Sequence, residues 1–284
     1  MIDPKFLDEL HRLNLVVNRN VYSKYSGEHR SYSSGSGTLF KEHRIYSPGD
    51  NYKAIDWRVY ARTDDLYVKQ FEEERNLNVH ILTDVSKSMD TDGKFDFAGK
   101  IALSFGYLGM KNNERVQFST FSNDLEILKG AKGHKQITSI LNTFNKIKPT
   151  GSSKLYNSIQ KYKKLIHSKS YVVIVSDFFF ELKELENALH LLGKDHIIKL
   201  VQILTPSEKN MDLEGDFKLI DAESEFELRT YVSKRAQQEY LSKLNKHVAD
   251  IKRLANQFPG AKFYQFTTDQ QIFDVLFTIT NQKF

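Results

Sequence analysis

The chain has 284 residues, 40% of them apolar and 27% charged. That composition supports a buried core and excludes a peptide, a fibre or wholesale disorder. Its 41 Lys and Arg against 36 Asp and Glu leave a net charge of +5, which admits an acidic partner without requiring one. Cysteine is absent, so disulfide scaffolds, thiolate zinc sites, iron–sulfur clusters and cysteine nucleophiles are excluded.

The most apolar stretch, residues 171–180, is too short to cross a membrane and carries Asp177. The opening Met1-Ile2-Asp3-Pro4 puts an acid where a signal peptide carries Lys or Arg. A cytoplasmic protein is expected.

In chain order, Lys5–Leu15 has the spacing of a short helix and is followed by a polar tract. Residues 34–75 are rich in strand and turn signals, with Ser47-Pro48-Gly49-Asp50 the strongest turn. Leu66–Phe71 alternates apolar and polar residues as a half-buried strand does. From residue 76 the texture changes. Leu77–Thr83 reads as a strand ending at Asp84, and Phe95–Met110 as a helix apolar nearly all round. Two short strands, Glu114–Ser122 and Leu125–Leu128, flank an Asn-Asp turn. Helical spacing recurs over Gln136–Ile147, Leu155–Ile166 and Leu182–Leu192. The β-branched run Tyr171–Ser176 ends at Asp177, and Ile197–Leu204 reads as the next strand. Residues 209–230 suggest a hairpin-like insertion. Tyr231–Phe258 predicts a long helix, Lys262–Phe266 a strand and Gln270–Thr280 a final helix.

Alternating strands and helices predict an α/β, doubly wound, mainly parallel sheet. The expected division is an N-terminal helix and β-rich subdomain over 1–75, then the α/β domain over 76–284. Ligands of such sheets bind beyond the carboxyl ends of the strands, near the topological switch point.

Phosphate-cradling and dinucleotide Gly-rich loops are missing, as are His-Glu-x-x-His and the nucleophile elbow. Asp90-Thr91-Asp92-Gly93 reads as a turn, because its glycine comes two positions early for a calcium loop. Glu72-Glu73-Glu74 reads as a solvated face. What remains is a set of hydroxyls and carboxylates. Asp84-Val85-Ser86-Lys87-Ser88 follows the first buried strand, Thr150-Gly151-Ser152-Ser153 opens a helix, and Asp177 ends another strand. In the common strand order these strands adjoin, so Asp84 and Asp177 face one crevice with Ser86, Ser88 and Ser153 around it. Taken singly, each is an ordinary helix cap. Together, oxygen-only ligands select Mg²⁺, Mn²⁺ or Ca²⁺ over zinc or copper. An ion so held is under-neutralised and seeks one more anionic ligand, such as a partner's carboxylate.

This pattern resembles the metal-ion-dependent adhesion site of von Willebrand factor A domains. By position, the resemblance implies metal ligation by Asp84, Ser86, Ser88, Ser153 and Asp177. Ser153 stands where the family usually has Thr and lacks the methyl that stiffens it, which implies weaker metal binding; Ser152 is a second choice behind Ser153. The upstream run, with Pro48-Gly49-Asp50, Asp56-Trp57-Arg58, Ala61-Arg62 and Lys69-x-Phe71-Glu72-Glu73-Glu74, resembles the bacterial family named Domain of Unknown Function 58. So does the tail, with Leu219-Ile220-Asp221, Glu223, Tyr240, Gly260 and Phe266-x-Thr268-Asp269.

That resemblance implies a non-enzymatic adaptor paired with an AAA+ ATPase of the MoxR class, or with its client. Within the upstream run, Arg44, Arg58 and Arg62 are expected to pair with Asp50, Asp56 and Glu72 as a structural clamp. The competing reading makes Trp57, Arg58 and Arg62 a docking surface, with Lys154 as part of a basic rim. Lys129–Ser170 holds ten Lys and no Asp, Glu or Arg; without Arg forks, solvated helix faces are favoured over a nucleic-acid surface. A metal-dependent hydrolase or phosphoryl-transfer enzyme is the remaining alternative. It lacks a general base beside Asp84, since His80 falls mid-strand.

Overall fold

The computed structural model describes residues 1–11, 31–35, 39–73, 78–129, 135–166, 168–211, 215–220 and 227–281. The readings at 12–30, Glu74, His167, Asp221 and Glu223 lie outside them. The chain divides into two compact units, Val16–Asn76 on one hand and Met1–Leu15 with Leu77–Phe284 on the other.

The smaller unit carries β1 (Ser31–Gly35), β2 (Leu39–Ile45), the helix α1 (Trp57–Thr63) and β3 (Tyr67–Glu73). Its strands form an antiparallel sheet in the order β1-β3-β2. The Pro-Gly-Asp turn closes where Asp50 accepts from the Ser47 amide (2.8 Å) and from Arg44 (2.7 Å), bonds that hold its carboxyl below the ordinary range. Of the other two carboxylates expected in the clamp, the Glu72 side chain lies outside what is described, and Asp56 takes different partners. Asp56 caps α1 by accepting from the Arg58 amide, and its carboxylate meets His43 Nε2 at 3.0 Å and Lys69 Nζ at 3.3 Å rather than an arginine. Those partners, His43 foremost, bring its pKa down to about 2. The register of β2 on β3, with His43 opposite Lys69, delivers both side chains to the same carboxylate.

The larger unit begins with a helical segment at residues 6–11; residues 12–15 of the expected helix lie outside the described residues. Its strands are β4 (Asn78–Asp84), β5 (Arg115–Phe121), β6 (Leu125–Leu128), β7 (Ser170–Ser176), β8 (Ile197–Leu204), β9 (Gly215–Ile220), β10 (Glu227–Val232) and β11 (Ala261–Thr267). Its helices are α2 (Lys94–Lys111), α3 (Lys135–Phe144), α4 (Leu155–Tyr162), α5 (Leu182–Leu192), α6 (Pro206–Asn210), α7 (Lys234–Asn256) and α8 (Ile272–Asn281). The six-stranded sheet runs β11-β8-β7-β4-β5-β6, all parallel except β6. It is the doubly wound α/β sheet expected, and the smaller antiparallel sheet lies toward the N-terminus. β9 and β10 form the antiparallel ladder of the hairpin. Because Tyr231 and Val232 still pair in that ladder, α7 starts later than its spacing suggested, at Lys234, capped by Ser233.

The central strands are buried on both faces, as parallel strands between two helix layers are. Leu82, Val172, Ile174 and Leu200 join Ile159 of α4, Leu189 of α5 and Leu254 of α7 in one core. On the other face α2 is buried along most of its length. Gly106 and Gly109 let its backbone approach the sheet, over Phe118 and over Val116 and Val79.

His80 alternates with Val79 and Ile81 and so points toward α4, where its Nδ1 lies 2.8 Å from the Tyr162 hydroxyl. Burial lowers its pKa from 6.5 to about 4. The folded state therefore keeps it neutral while the unfolded chain takes up a proton below pH 6.5. Stability present above pH 6.5 is lost as pH falls toward 4, by up to about 3 kcal/mol. Urea unfolding of His80→Gln at pH 7 and pH 4 should show a correspondingly smaller acid loss than wild type. An identical loss in both would assign the acid sensitivity to other groups.

Candidate functional site

The chain runs outward from β4 in both directions, to β5 and β6 on one side and to β7, β8 and β11 on the other. The switch point therefore lies between the carboxyl ends of β4 and β7, where a crevice forms because the two crossovers part. The register pairs Thr83 with Val175. Asp84 and Ser176 thus end adjacent strands, and Asp177 follows one residue on.

Asp84 is fully buried. Its Oδ1 accepts from the Ser86 amide at 2.8 Å, and its Oδ2 accepts from the hydroxyls of Ser153 (2.9 Å) and Ser176 (2.6 Å). All three donors are neutral. Burial, followed by the nearby charge of Asp177, raises the Asp84 pKa to about 6. Ser86, also buried, places its Oγ 3.1 Å from Ser88 Oγ.

Backbone bonds fix the loop that brings in Ser153. Thr150 N donates to Val85 O (2.8 Å), Lys87 N to Gly151 O (2.9 Å) and Lys154 N to Ser122 O (3.0 Å). Gly151 has φ +79°, and a Cβ there would lie 2.5 Å from the Asn123 amide nitrogen, so the position requires glycine. Ser152 turns aside, its hydroxyl donating to Asn123 Oδ1. Of the two serines, Ser153 reaches Asp84.

Asp177 is placed beside this group but is otherwise engaged. Its Oδ2 accepts from Lys94 Nζ at 3.0 Å, its Oδ1 from the Phe179 amide at 3.2 Å, and its carbonyl from Gln202 Nε2 at 2.8 Å. Lys94, the first residue of α2, is 1% exposed and also donates to Glu208 Oε1 at 2.7 Å. Burial alone would push this ammonium's pKa down; Asp177 and Glu208 outweigh it and hold the pKa above its usual value. Glu208 is oriented by a reciprocal cap with Thr205 at the start of α6. The residue after Asp177, Phe178, is buried in a left-handed conformation (φ 55°), and its carbonyl lies 2.8 Å from His247 Nε2.

Three participants were missed in the sequence. In the sequence Ser176 is only the last residue of a β-branched run. Glu208 carried a readable signal, the Thr205-x-x-Glu208 box just past a strand. Lys94 carried none, since a fully buried lysine is the exception. Lys154 is exposed, as are Trp57, Arg58 and Arg62 in the smaller unit. The described lysines of 129–170 are exposed too.

The donor set determines what this place can do. Among the described residues no group of three or more His, Cys, Asp or Glu gathers to hold a metal. Hydroxyl oxygens and one carboxylate do gather. Ser153 Oγ lies 2.9 Å from Asp84 Oδ2 and Ser86 Oγ 3.1 Å from Ser88 Oγ, close to the roughly 3 Å edges of an octahedron of oxygens about 2.1 Å from a hard ion. A buried carboxylate with only neutral donors is itself the feature a cation would compensate. The residues present therefore fit a small divalent cation. The His80 ring is buried and meets the Tyr162 hydroxyl in the core.

A doubly wound α/β protein with an oxygen-lined crevice at its switch point is thus defined. The chain belongs to the family described as Protein of unknown function DUF58, which matches residues 42–250. It is similar to the uncharacterized protein Rv1480 of Mycobacterium tuberculosis, 25% identical over 277 residues and covering 94% of this chain and 86% of that one. Among solved structures, it is similar to an aerotolerance-related membrane protein from Bacteroides fragilis (12% identity, 73% of this chain and 100% of that chain, TM-score 0.44). It is also similar to a von Willebrand factor type A protein from Catenulispora acidiphila (9% identity, 65% and 44%, TM-score 0.38). A third is proximal thread matrix protein 1 of the mussel byssus, in a form with a zinc-occupied MIDAS motif (14% identity, 72% and 44%, TM-score 0.38). No helix among the described residues is long and apolar enough to cross a membrane.

Proposed function

We propose that this protein is a non-enzymatic interaction module that uses a hard divalent cation, Mg²⁺ or Mn²⁺, to capture an acidic side chain of a protein partner. Ser86, Ser88 and Ser153 would hold the ion with Asp84, and Asp177 would add its charge from the neighbouring strand end. The observation that carries the reading is the buried Asp84 carboxylate, met only by neutral donors and surrounded by hydroxyls at ligand-edge spacing. When bound, the ion supplies a strong electrostatic attraction for a carboxylate. With one ligating carboxylate against a double positive charge, the site favours an anionic ligand from outside.

The family resemblance suggests an AAA+ ATPase of the MoxR class, or its client, as the partner. Exposed Lys154 would steer an acidic surface toward the crevice. Trp57, with Arg58 and Arg62, would supply a further docking face on the smaller unit; Trp57 is 60% exposed and meets Tyr60 edge to face.

Titration calorimetry with Mn²⁺, followed by a Glu-rich peptide, tests this. Wild type should bind one ion, and the peptide only in its presence. Peptide binding that persists in EDTA and in Ser86→Ala would overturn the metal-bridged reading.

A further inference from the structure

Resting on the reading above, we infer that Lys94 is an internal counter-ion that withholds Asp177 from the metal and so makes tight ion capture depend on a carboxylate supplied from outside. The geometry is specific. The Lys94 ammonium is 1% exposed, donates to Asp177 Oδ2 at 3.0 Å and Glu208 Oε1 at 2.7 Å, and lies 5.7 Å from the Phe179 ring centroid. It stands at the very start of α2, so the rigid helix fixes its origin.

Three carboxylates, Asp84, Asp177 and Glu208, lie around the crevice and its margin. Without Lys94 they would form a strongly anionic pocket able to neutralise a divalent ion by themselves. With Lys94, one positive charge is already present and an Asp177 oxygen is already occupied. The entering ion then faces Asp84 and hydroxyls, and it is completed by a carboxylate from outside. Lys94 is thus a positioning residue, setting the charge of the site without ligating anything in it. Glu208 is its second anchor: it draws the ammonium toward α6 and offsets part of its repulsion of the ion.

Two substitutions with opposite expected signs test this by Mn²⁺ calorimetry at constant ionic strength, with and without acetate as the carboxylate probe. Lys94→Met releases Asp177 and should bind Mn²⁺ about tenfold more tightly or better, with acetate no longer improving affinity as it does in wild type. Glu208→Gln keeps the lysine and removes its partly exposed anchor, so the fold should be retained; it should bind Mn²⁺ about threefold more weakly. The second variant decides the matter if Lys94→Met does not fold. Lys94→Met affinity no higher than wild type, Glu208→Gln affinity no lower, or acetate acting equally on wild type and Lys94→Met would each overturn the inference. Wild type that binds no Mn²⁺ would instead overturn the metal reading beneath it.

Discussion

Asp84→Asn should raise the melting temperature of the metal-free protein at pH 7 and abolish its stabilisation by Mg²⁺. Asp84 is completely buried, and its pKa stands at about 6 against an ordinary 3.8. The folded state favours the neutral acid, while the unfolded chain is ionised from about pH 4 upward. This group's stabilising contribution is therefore full below pH 3.8 and lost as pH rises through 6. At pH 7 the ionised carboxylate costs about 3 kcal/mol relative to a neutral group. Asparagine keeps an acceptor for the Ser86 amide and carries no charge, so it removes most of that cost. For a unit of this size the gain amounts to about 5–10 °C.

Mg²⁺ acts oppositely. It stabilises wild type by mass action and loses its ligating carboxylate in the variant. Thermal melts across a Mg²⁺ series should therefore cross, with the variant ahead in EDTA. A variant that is less stable than wild type in EDTA would make Asp84 a structural anchor for Ser153 and Ser176 instead.

Gly106→Ala tests the packing that supports the site. A Cβ at residue 106 would lie 2.0 Å from Phe118 Cζ, and Phe118 is fully buried on β5. No rotamer of alanine relieves this, so either the ring or the helix must move. Overpacking of this kind costs about 1–3 kcal/mol or more. Alanine's better helix propensity returns about 1 kcal/mol. A contact this short places the steric cost at the upper end, so a net loss of about 2 kcal/mol is expected, or about 4–8 °C. Phe118→Leu in the same chain should recover part of the loss, since it removes the offending ring atoms. An unchanged melting temperature in Gly106→Ala would mean that α2 slides freely over the sheet, which would also unseat Lys94 as a fixed origin.

The legible part of the site followed from local rules. A β-branched run ending in Asp177 and a strand ending in Asp84 read as parallel neighbours, and the doubly wound order put their ends together. The Asp84-x-Ser86-x-Ser88 spacing survives because an Asx-type turn returns the Ser86 amide to Asp84. What was not legible depends on pairing across the chain. Asp56 had several cations in reach by sequence, and only the β2–β3 register selects His43 and Lys69 over Arg58. Lys94 looks like any polar residue opening a helix, and its burial arises because Asp177 and Glu208 arrive from 83 and 114 residues away. Ser176 had the residue type of a ligand or a cap, and its role as a donor to Asp84 appears once β4 and β7 are side by side.

Anomalous diffraction from crystals soaked in Mn²⁺ tests the central claim most directly. One peak is expected in the crevice between β4 and β7, within bonding distance of the Ser86 and Ser88 hydroxyl oxygens and on the Asp84 side of Lys94. A crystal that takes up Mn²⁺ elsewhere and leaves those hydroxyls without an ion would contradict it.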